Sequence, residues 1–192
     1  MKDEIDINHI DRVLDGDIQA FEELYENTIQ DVYKTIHFLV DEKNDVDDIV
    51  QETYIQVYNN LTKFDRTKTF KPWVTGIAIK QLHTYRRKKW MMLKVIHKAV
   101  QHQARYEFDT ASEIIEKINN EKLLELINQL PYKLKQIVIL HYLNELSQEE
   151  VAQVLCIPLG TVKSRIGASL KKLRQKGYDH KILFKGGMFN EL

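Results

Sequence analysis

Cysteine occurs once in this chain of 192 residues, at Cys156, which excludes an internal disulfide and fits a reducing compartment. Proline occurs three times and glycine seven times, too few for the turn-rich punctuation of a β-sandwich or barrel. No stretch alternates apolar and polar residues between turn signals, and no apolar run approaches the ~20 residues that a membrane span needs. The acidic opening "MKDEIDINHIDRVLDGD" has no apolar core of the kind a secretory leader carries. With Leu, Ile, Glu, Lys and Gln abundant, these absences predict a cytoplasmic, all-α chain with no membrane insertion.

Signatures of catalysis are missing as well. The seven histidines (His9, His37, His83, His97, His102, His141 and His180) are scattered. Only His97 and His102 lie close, and a spacing of five puts them on different sides of a helix, without a cysteine or carboxylate cluster. There is no phosphate-binding glycine loop and no nucleophile elbow. The expectation is a binding protein rather than an enzyme, with no metal and no cofactor.

Net charge is also absent, but only in the sum. Residues 1–62 carry 4 Lys and Arg against 16 Asp and Glu, and residues 63–106 carry 12 against 1. Residues 107–150 carry 4 against 9, and residues 151–192 carry 8 against 2. Each half of the chain thus runs from acidic to basic, predicting two modules whose basic parts suit a polyanion and whose acidic parts suit a basic protein surface.

In the second module, "NNEKLLELINQLP" places Leu123, Leu124, Ile127 and Leu130 at helical spacing before a break at Pro131. "YKLKQIVILHYLNEL" is apolar enough to be a buried helix. Ser147 and Glu150 have the spacing of a capping box, and Val151, Ala152 and Leu155 give the next helix its buried face. After a short turn at Cys156 and Ile157, Pro158 suits the start of a last helix, which buries Val162, Ile166, Leu170 and Leu173. Thr161, Lys163, Ser164 and Arg165 are left outward near its N-terminus. Two short helices joined by a tight turn, the second basic on its open face, form a helix-turn-helix. That motif sets the N-terminal residues of its second helix against base edges in the major groove. Gly160 leaves room for close approach, and Lys171, Lys172, Arg174 and Lys176 lie where flanking phosphates would run.

The run "LPYKLKQIVILHYLNELSQEEVAQVLCIPLGTVKSRIGASLKKLR" resembles region four of bacterial sigma factors, the subunit that directs RNA polymerase to promoters, most tellingly at "GTVKSR". The family usually has glycine where Cys156 stands, to permit a left-handed turn. The resemblance implies that Thr161, Lys163, Ser164, Arg165, Lys171 and Lys172 bind the double-stranded minus-thirty-five element. A response-regulator output domain shares a similar four-helix arrangement, so the first module has to separate the two.

There, "GDIQAFEELYENTIQDVYKTIHFLV" opens on an Asp15-Gly16-Asp17 turn and spaces Phe21, Leu24, Tyr25, Ile29, Val32, Tyr33, Ile36 and Leu39 as the buried side of a helix. The next helix carries Val50, Tyr54, Val57 and Leu61 on one stripe. Its other face has acids and an amide around one exposed isoleucine, chemistry that a basic protein groove would grip. The pattern "DDIVQETYIQVY" resembles region two of the compact, two-domain extracytoplasmic-function group of sigma factors. The resemblance implies that Asp47, Asp48, Gln51, Glu52 and Ile55 bind core RNA polymerase.

Beyond it, a polar loop over residues 62–69 leads through Phe70, Pro72 and Trp73 into a helix ending in "YRRKK". Cations interleaved with aromatics suit single-stranded DNA, whose bases stack on rings and whose phosphates need positive charge. Trp73 pairs with Ile77 at i, i+4 and reads as core. The resemblance implies that Lys63, Phe64, Arg66, Lys68, Lys80, His83, Thr84, Arg86, Arg87 and Lys88 bind the melted minus-ten element. Family members commonly carry Asn near the position of Lys80 and Asp near Thr84.

The expected organisation is therefore a first module over 1–95, a flexible linker over 96–118, a helix-turn-helix module over 119–178 and a flexible tail over 179–192. The resemblance implies promoter-specific transcription initiation for a stress or envelope regulon, core RNA polymerase and promoter DNA as partners, an anti-sigma factor, and a monomer when free. A self-sufficient helix-turn-helix regulator with a sensory N-terminal domain is the alternative, and it predicts a dimer on a palindromic site.

Overall fold

The computed structural model describes residues 2–97 and 121–176, and every regular element among them is helical. Most of the predicted linker and all of the predicted tail lie outside the described residues, as do His102 and His180.

Helix α1 (Lys2–Leu14) stops at Gly16, whose φ of +96° turns the chain sharply. Asp17 then starts α2 (Ile18–Leu39). One carboxylate oxygen accepts from the Ala20 amide at 3.2 Å, and the other accepts from the Arg12 guanidinium at 2.9 and 2.6 Å. The Arg12 hydrogen bond, then the Ala20 amide, hold this carboxyl below its ordinary range. Leu24, Val32, Ile36 and Leu39 are buried as the spacing predicts. Phe21, Ile29 and Tyr33 are only partly covered and Tyr25 is exposed. They leave the predicted core because these side chains line a groove between α2 and the next helix that is open to solvent.

A 3₁₀ turn over Lys43–Asp45 introduces α3 (Val46–Asn60), which buries Val50, Tyr54 and Val57, with Leu61 buried in the turn that follows. The Tyr54 hydroxyl meets the Thr28 hydroxyl at 2.9 Å, so neither buried polar group lacks a partner. Helix α4 (Phe70–His97) buries Phe70, Val74, Ala78 and Leu82, four residues apart on one stripe against α2 and α3. It continues past the predicted end at "YRRKK" through Trp90, Met91, Met92 and Leu93, which are exposed.

The second module comprises α5 (Glu121–Asn128), α6 (Tyr132–Val138), α7 (Gln148–Leu155) and α8 (Leu159–Gln175). The predicted continuous helix after Pro131 instead widens into a π turn over Ile139–Leu143, closed by the Asn144 amide donating to the Ile139 carbonyl at 3.0 Å. The reason lies in the first module: the Asn144 side chain reaches α2, donating to Thr35 Oγ1 at 2.6 Å and to the Asp31 carbonyl at 3.2 Å. The two modules are in direct contact among the described residues, α7 against α4, and α6 with the π turn against α2.

Candidate nucleic-acid interface

The helix-turn-helix is built as its sequence signals say. Ser147 Oγ accepts from the Glu150 amide at 3.2 Å, and the Glu150 carboxylate accepts from the Ser147 amide at 2.7 Å, closing the capping box that starts α7. Cys156 ends that helix at φ 51° and ψ 47°, in the left-handed region. A non-glycine residue there costs on the order of 1 kcal/mol; the turn keeps it because the Cys156 and Ile157 amides donate back to the Gln153 and Ala152 carbonyls. Pro158 stands at the N-cap of α8 rather than inside its first turn, and its carbonyl accepts from the Thr161 and Val162 amides.

Val162, Ile166 and Leu173 are buried beneath α8. The opposite face is open: Lys163 and Ser164 are exposed, Thr161 and Arg165 half-buried, and Lys171, Lys172, Arg174 and Lys176 exposed further along. A Cβ at Gly160 would meet open space, so that face allows close approach. The six residues predicted for the minus-thirty-five element therefore fall on one helix, and its free N-terminal amides favour phosphate.

In the first module, Lys63, Arg66 and Lys68 sit on an exposed loop, where Arg66 pairs with Asp11 of α1 and Lys68 lies 3.8 Å from Asp65. Phe64 corrects the sequence reading. It is buried against Phe70 and Trp73, at centroid distances of 5.5 and 5.1 Å, so its ring holds the loop to α4 instead of facing a DNA base. Trp73 is half-buried in that cluster, as expected of a core residue. Lys80, His83, Arg87 and Lys88 are exposed along α4, while Thr84 and Arg86 are half-buried. Although His83 keeps an exposed edge, the partial desolvation of its ring, then the Arg86 charge, lowers its pKa.

On α3, Asp47, Asp48, Gln51, Glu52 and Ile55 are all exposed on one face. Asp47, Gln51 and Ile55 also form one wall of the groove whose other wall is the ring series of α2. Tyr25 packs on Tyr54 at 4.5 Å and Phe21 on Tyr58 at 5.2 Å, so the groove is largely aromatic, with Asp47 its one acidic lining residue.

Comparison with known proteins decides what this arrangement belongs to. The family models described as Sigma-70 region 2 and Sigma-70, region 4 match residues 24–91 and 120–173. The chain is a sigma factor of the extracytoplasmic-function group of the sigma-70 family. It is 28% identical over 177 residues to the ECF RNA polymerase sigma factor SigW of Bacillus subtilis, covering 87% of this chain and 94% of that protein. To the ECF RNA polymerase sigma-E factor of Haemophilus influenzae it is 27% identical over 175 residues, covering 87% and 92%. Its fold is similar to that of CnrH, solved with the cytosolic domain of CnrY, at a TM-score of 0.64 and 21% identity over 90% of this chain and 96% of that one. It is also similar to the sigma factor RpoE of Bartonella quintana, solved with the anti-sigma factor NepR, at 0.67 and 16% over 82% and 96%.

Sequence reasoning missed what this sigma factor does with its module seam. Arg86, read as a DNA contact, stacks over the Tyr132 ring of α6 at 3.9 Å and lies 3.7 Å from Asp41. Lys43 donates to the His37 carbonyl. Burial and its neighbour Lys135 push Lys43 down to about 8, and burial likewise takes Lys135 to about 8. Burial, with the charges of Lys43 and Lys135, takes His37 to about 4. No local pattern marks these residues, because, apart from Lys43 and His37, the partners lie 45 or more positions apart in the chain. Among the described residues no three His, Cys, Asp or Glu side chains gather to hold a metal ion, and no helix is long and apolar enough to cross a membrane.

Proposed function

We propose that this sigma factor binds core RNA polymerase through the acidic face of α3, with Asp47, Asp48, Gln51, Glu52 and Ile55 as the gripped residues. The 62–69 loop and the open side of α4 then take the melted minus-ten strand. Lys63, Arg66, Lys68, Lys80, His83, Thr84, Arg86, Arg87 and Lys88 supply its phosphate and base contacts, while Phe64 acts only by holding the loop. Arg165, with Thr161, Lys163 and Ser164, reads the minus-thirty-five duplex, and Lys171 and Lys172 fix its register on phosphates. The modules over 1–95 and 119–178 act as separate units on DNA, joined by residues 96–118. The chain supplies recognition, and the phosphodiester chemistry stays with the polymerase.

One observation carries the reading: an exposed acidic face, a basic loop and helix, and a basic recognition helix follow one another in a chain that matches both sigma regions. The solved relative that is a complex with the anti-sigma factor NepR supports an anti-sigma factor as a partner of this chain; the chain itself works in the cytoplasm on a stress or envelope regulon. A self-sufficient dimeric regulator would have no use for a region-two module. The test is reconstitution: core polymerase plus this chain, as a monomer, should initiate from promoters selected out of a random pool, and core alone should not. Tight binding of the free chain to a palindromic duplex, with no gain from core polymerase, would overturn the proposal.

A further inference from the structure

The cations of the 62–69 loop are each answered from within the chain. Lys63 donates to Asn60 Oδ1 at 3.2 Å, and Lys68 lies 3.8 Å from Asp65, both local pairs three positions apart. Arg66 is different. Its Nη2 donates to Oδ1 of Asp11, 55 positions earlier on α1. That helix lies ahead of residues 24–91, the part of the chain matched as Sigma-70 region 2.

The backbones on both sides of this pair are fixed by other contacts. On α1, Ile10 and Val13 are buried and Arg12 is held by Asp17 at 2.6 Å, so the turn that carries Asp11 is anchored. In the loop, Phe64 is buried and its amide donates to the Leu61 carbonyl at 3.1 Å. Asp65 Oδ1 then accepts from the amide and the hydroxyl of Thr67 at 3.0 and 2.7 Å, and the Lys68 amide donates to the Asp65 carbonyl at 2.9 Å. Asp11 and Arg66 are themselves about half exposed. A pair of that kind adds little to stability, because water screens it and both side chains lose rotamer freedom. What it does set is where the guanidinium stands.

A guanidinium has five N–H donors, and this one gives Asp11 a single bond. With Phe64 turned inward, Arg66 is the only side chain over 62–69 that offers a planar fork of donors, the shape that pairs bidentately with a base edge. An arginine that swings freely gives up its rotamers on binding, whereas a tethered one has already done so. Tethering therefore favours an acceptor in one position over acceptors elsewhere, and a base extruded from a melted strand presents such an edge.

We propose that Asp11 is a positioning residue for minus-ten recognition, fixing the Arg66 guanidinium so that its free donors read the edge of one extruded base. This rests on the assignment of the loop to the minus-ten strand. Helix α1 thereby takes part in promoter choice without touching DNA through Asp11. Simple charge repulsion predicts the opposite sign: removing a carboxylate beside a DNA-binding loop would tighten binding to every strand alike. Positioning predicts that its removal costs discrimination.

The test uses holoenzyme reconstituted from core polymerase and the full chain. The probes are single-stranded oligonucleotides, the non-template strand of a promoter selected out of a random pool, with each minus-ten position changed in turn to the other bases. Arg66→Lys keeps the charge and loses the fork, and should lower the preference at one position by about fivefold or more, the low end of what a bidentate base contact contributes. Asp11→Ala should lose the same preference at the same position by a similar factor and leave the other positions unchanged. The double variant should be no worse than either single one, because the two side chains act as a unit. Asp11→Asn keeps an accepting oxygen and should retain part of the preference. Circular dichroism and melting temperature should stay near those of the parent, as exposed substitutions leave them. Tighter binding of all strands by Asp11→Ala, with the preference intact, would make Asp11 a repelling charge and overturn the proposal. Additive losses in the double variant would overturn the coupling, and loss of helicity in step with loss of preference would make the role of Asp11 structural. A preference that survives Arg66→Lys, which leaves α1 untouched, would overturn it independently. The Lys63→Ala, Lys68→Ala chain separates this inference from the loop assignment. Unchanged strand affinity there would remove the loop from the minus-ten site and the inference with it, whereas weakened binding with a preference independent of Asp11 would overturn the inference alone.

Discussion

Replacing Arg165 by alanine should change which sequence is bound, whereas replacing Lys171 and Lys172 should change how much salt matters. Arg165 stands in the second turn of α8, half-buried, with no ion pair among the described residues. Its guanidinium is available for a bidentate contact to a base edge, a contact that contributes about 1 to 3 kcal/mol of discrimination. Its loss should weaken holoenzyme binding on the selected minus-thirty-five sequence by roughly 5- to 160-fold, and leave a scrambled element nearly unchanged. The two lysines are exposed further along the helix, over the phosphates. Each phosphate contact contributes about −0.9 to the slope of log affinity against log salt, so losing both should flatten the slope by about 1.8. Between 50 and 200 mM salt the deficit of the double variant should therefore shrink by about twelvefold. Fluorescence anisotropy on both duplexes at both salt concentrations measures all of this. An Arg165→Ala defect of equal size on the correct and scrambled duplexes would assign that side chain to phosphate positioning. A lysine deficit independent of salt would refute the backbone role.

Ser147→Ala removes the oxygen that accepts from the Glu150 amide and should cost about 1 kcal/mol, seen as a lowering of the melting temperature by roughly 2 to 4 °C. His37 is kept neutral in the folded chain, with its pKa near 4 against an ordinary value of 6.5. The unfolded state therefore binds the extra proton, and the contribution present above pH 6.5 is lost as pH falls toward 4. For a half-buried ring, solvent screening holds that loss to about 1 to 2 kcal/mol. Urea unfolding across this pH range should show it, and His37→Gln should flatten the curve, with His83 contributing a remainder of the same sign.

Most of the fold was legible because its signals are local. The Asp15-Gly16-Asp17 turn, the Ser147 and Glu150 capping box and the stripes of Val50, Tyr54 and Val57 or Val162, Ile166 and Leu173 depend only on residues a few positions apart. The exposed acidic face of α3 and the open face of α8 follow from the same periodicity. Phe64 was misread because a ring in a polar loop gives no local sign that Phe70 and Trp73 will enclose it. Tyr25 and Phe21 share the helical spacing of Leu24 and Val32, and only the position of α3 leaves them at a groove rather than in the core. The role of Asn144 was illegible for the same reason, since Thr35 lies 109 positions away.

Charge reversal on α3 tests the central claim most directly. Asp48 and Glu52 are exposed, and the only side-chain hydrogen bond recorded for either among the described residues is the one Glu52 accepts from Gln56 at 2.9 Å. Changing both to lysine should therefore alter folding stability by less than about 0.5 kcal/mol per site. Sedimentation or co-purification with core polymerase should show binding abolished in the Asp48→Lys, Glu52→Lys chain, while helicity and melting temperature stay near those of the parent. Undiminished core binding by a folded double variant would contradict the assignment of this face to the polymerase.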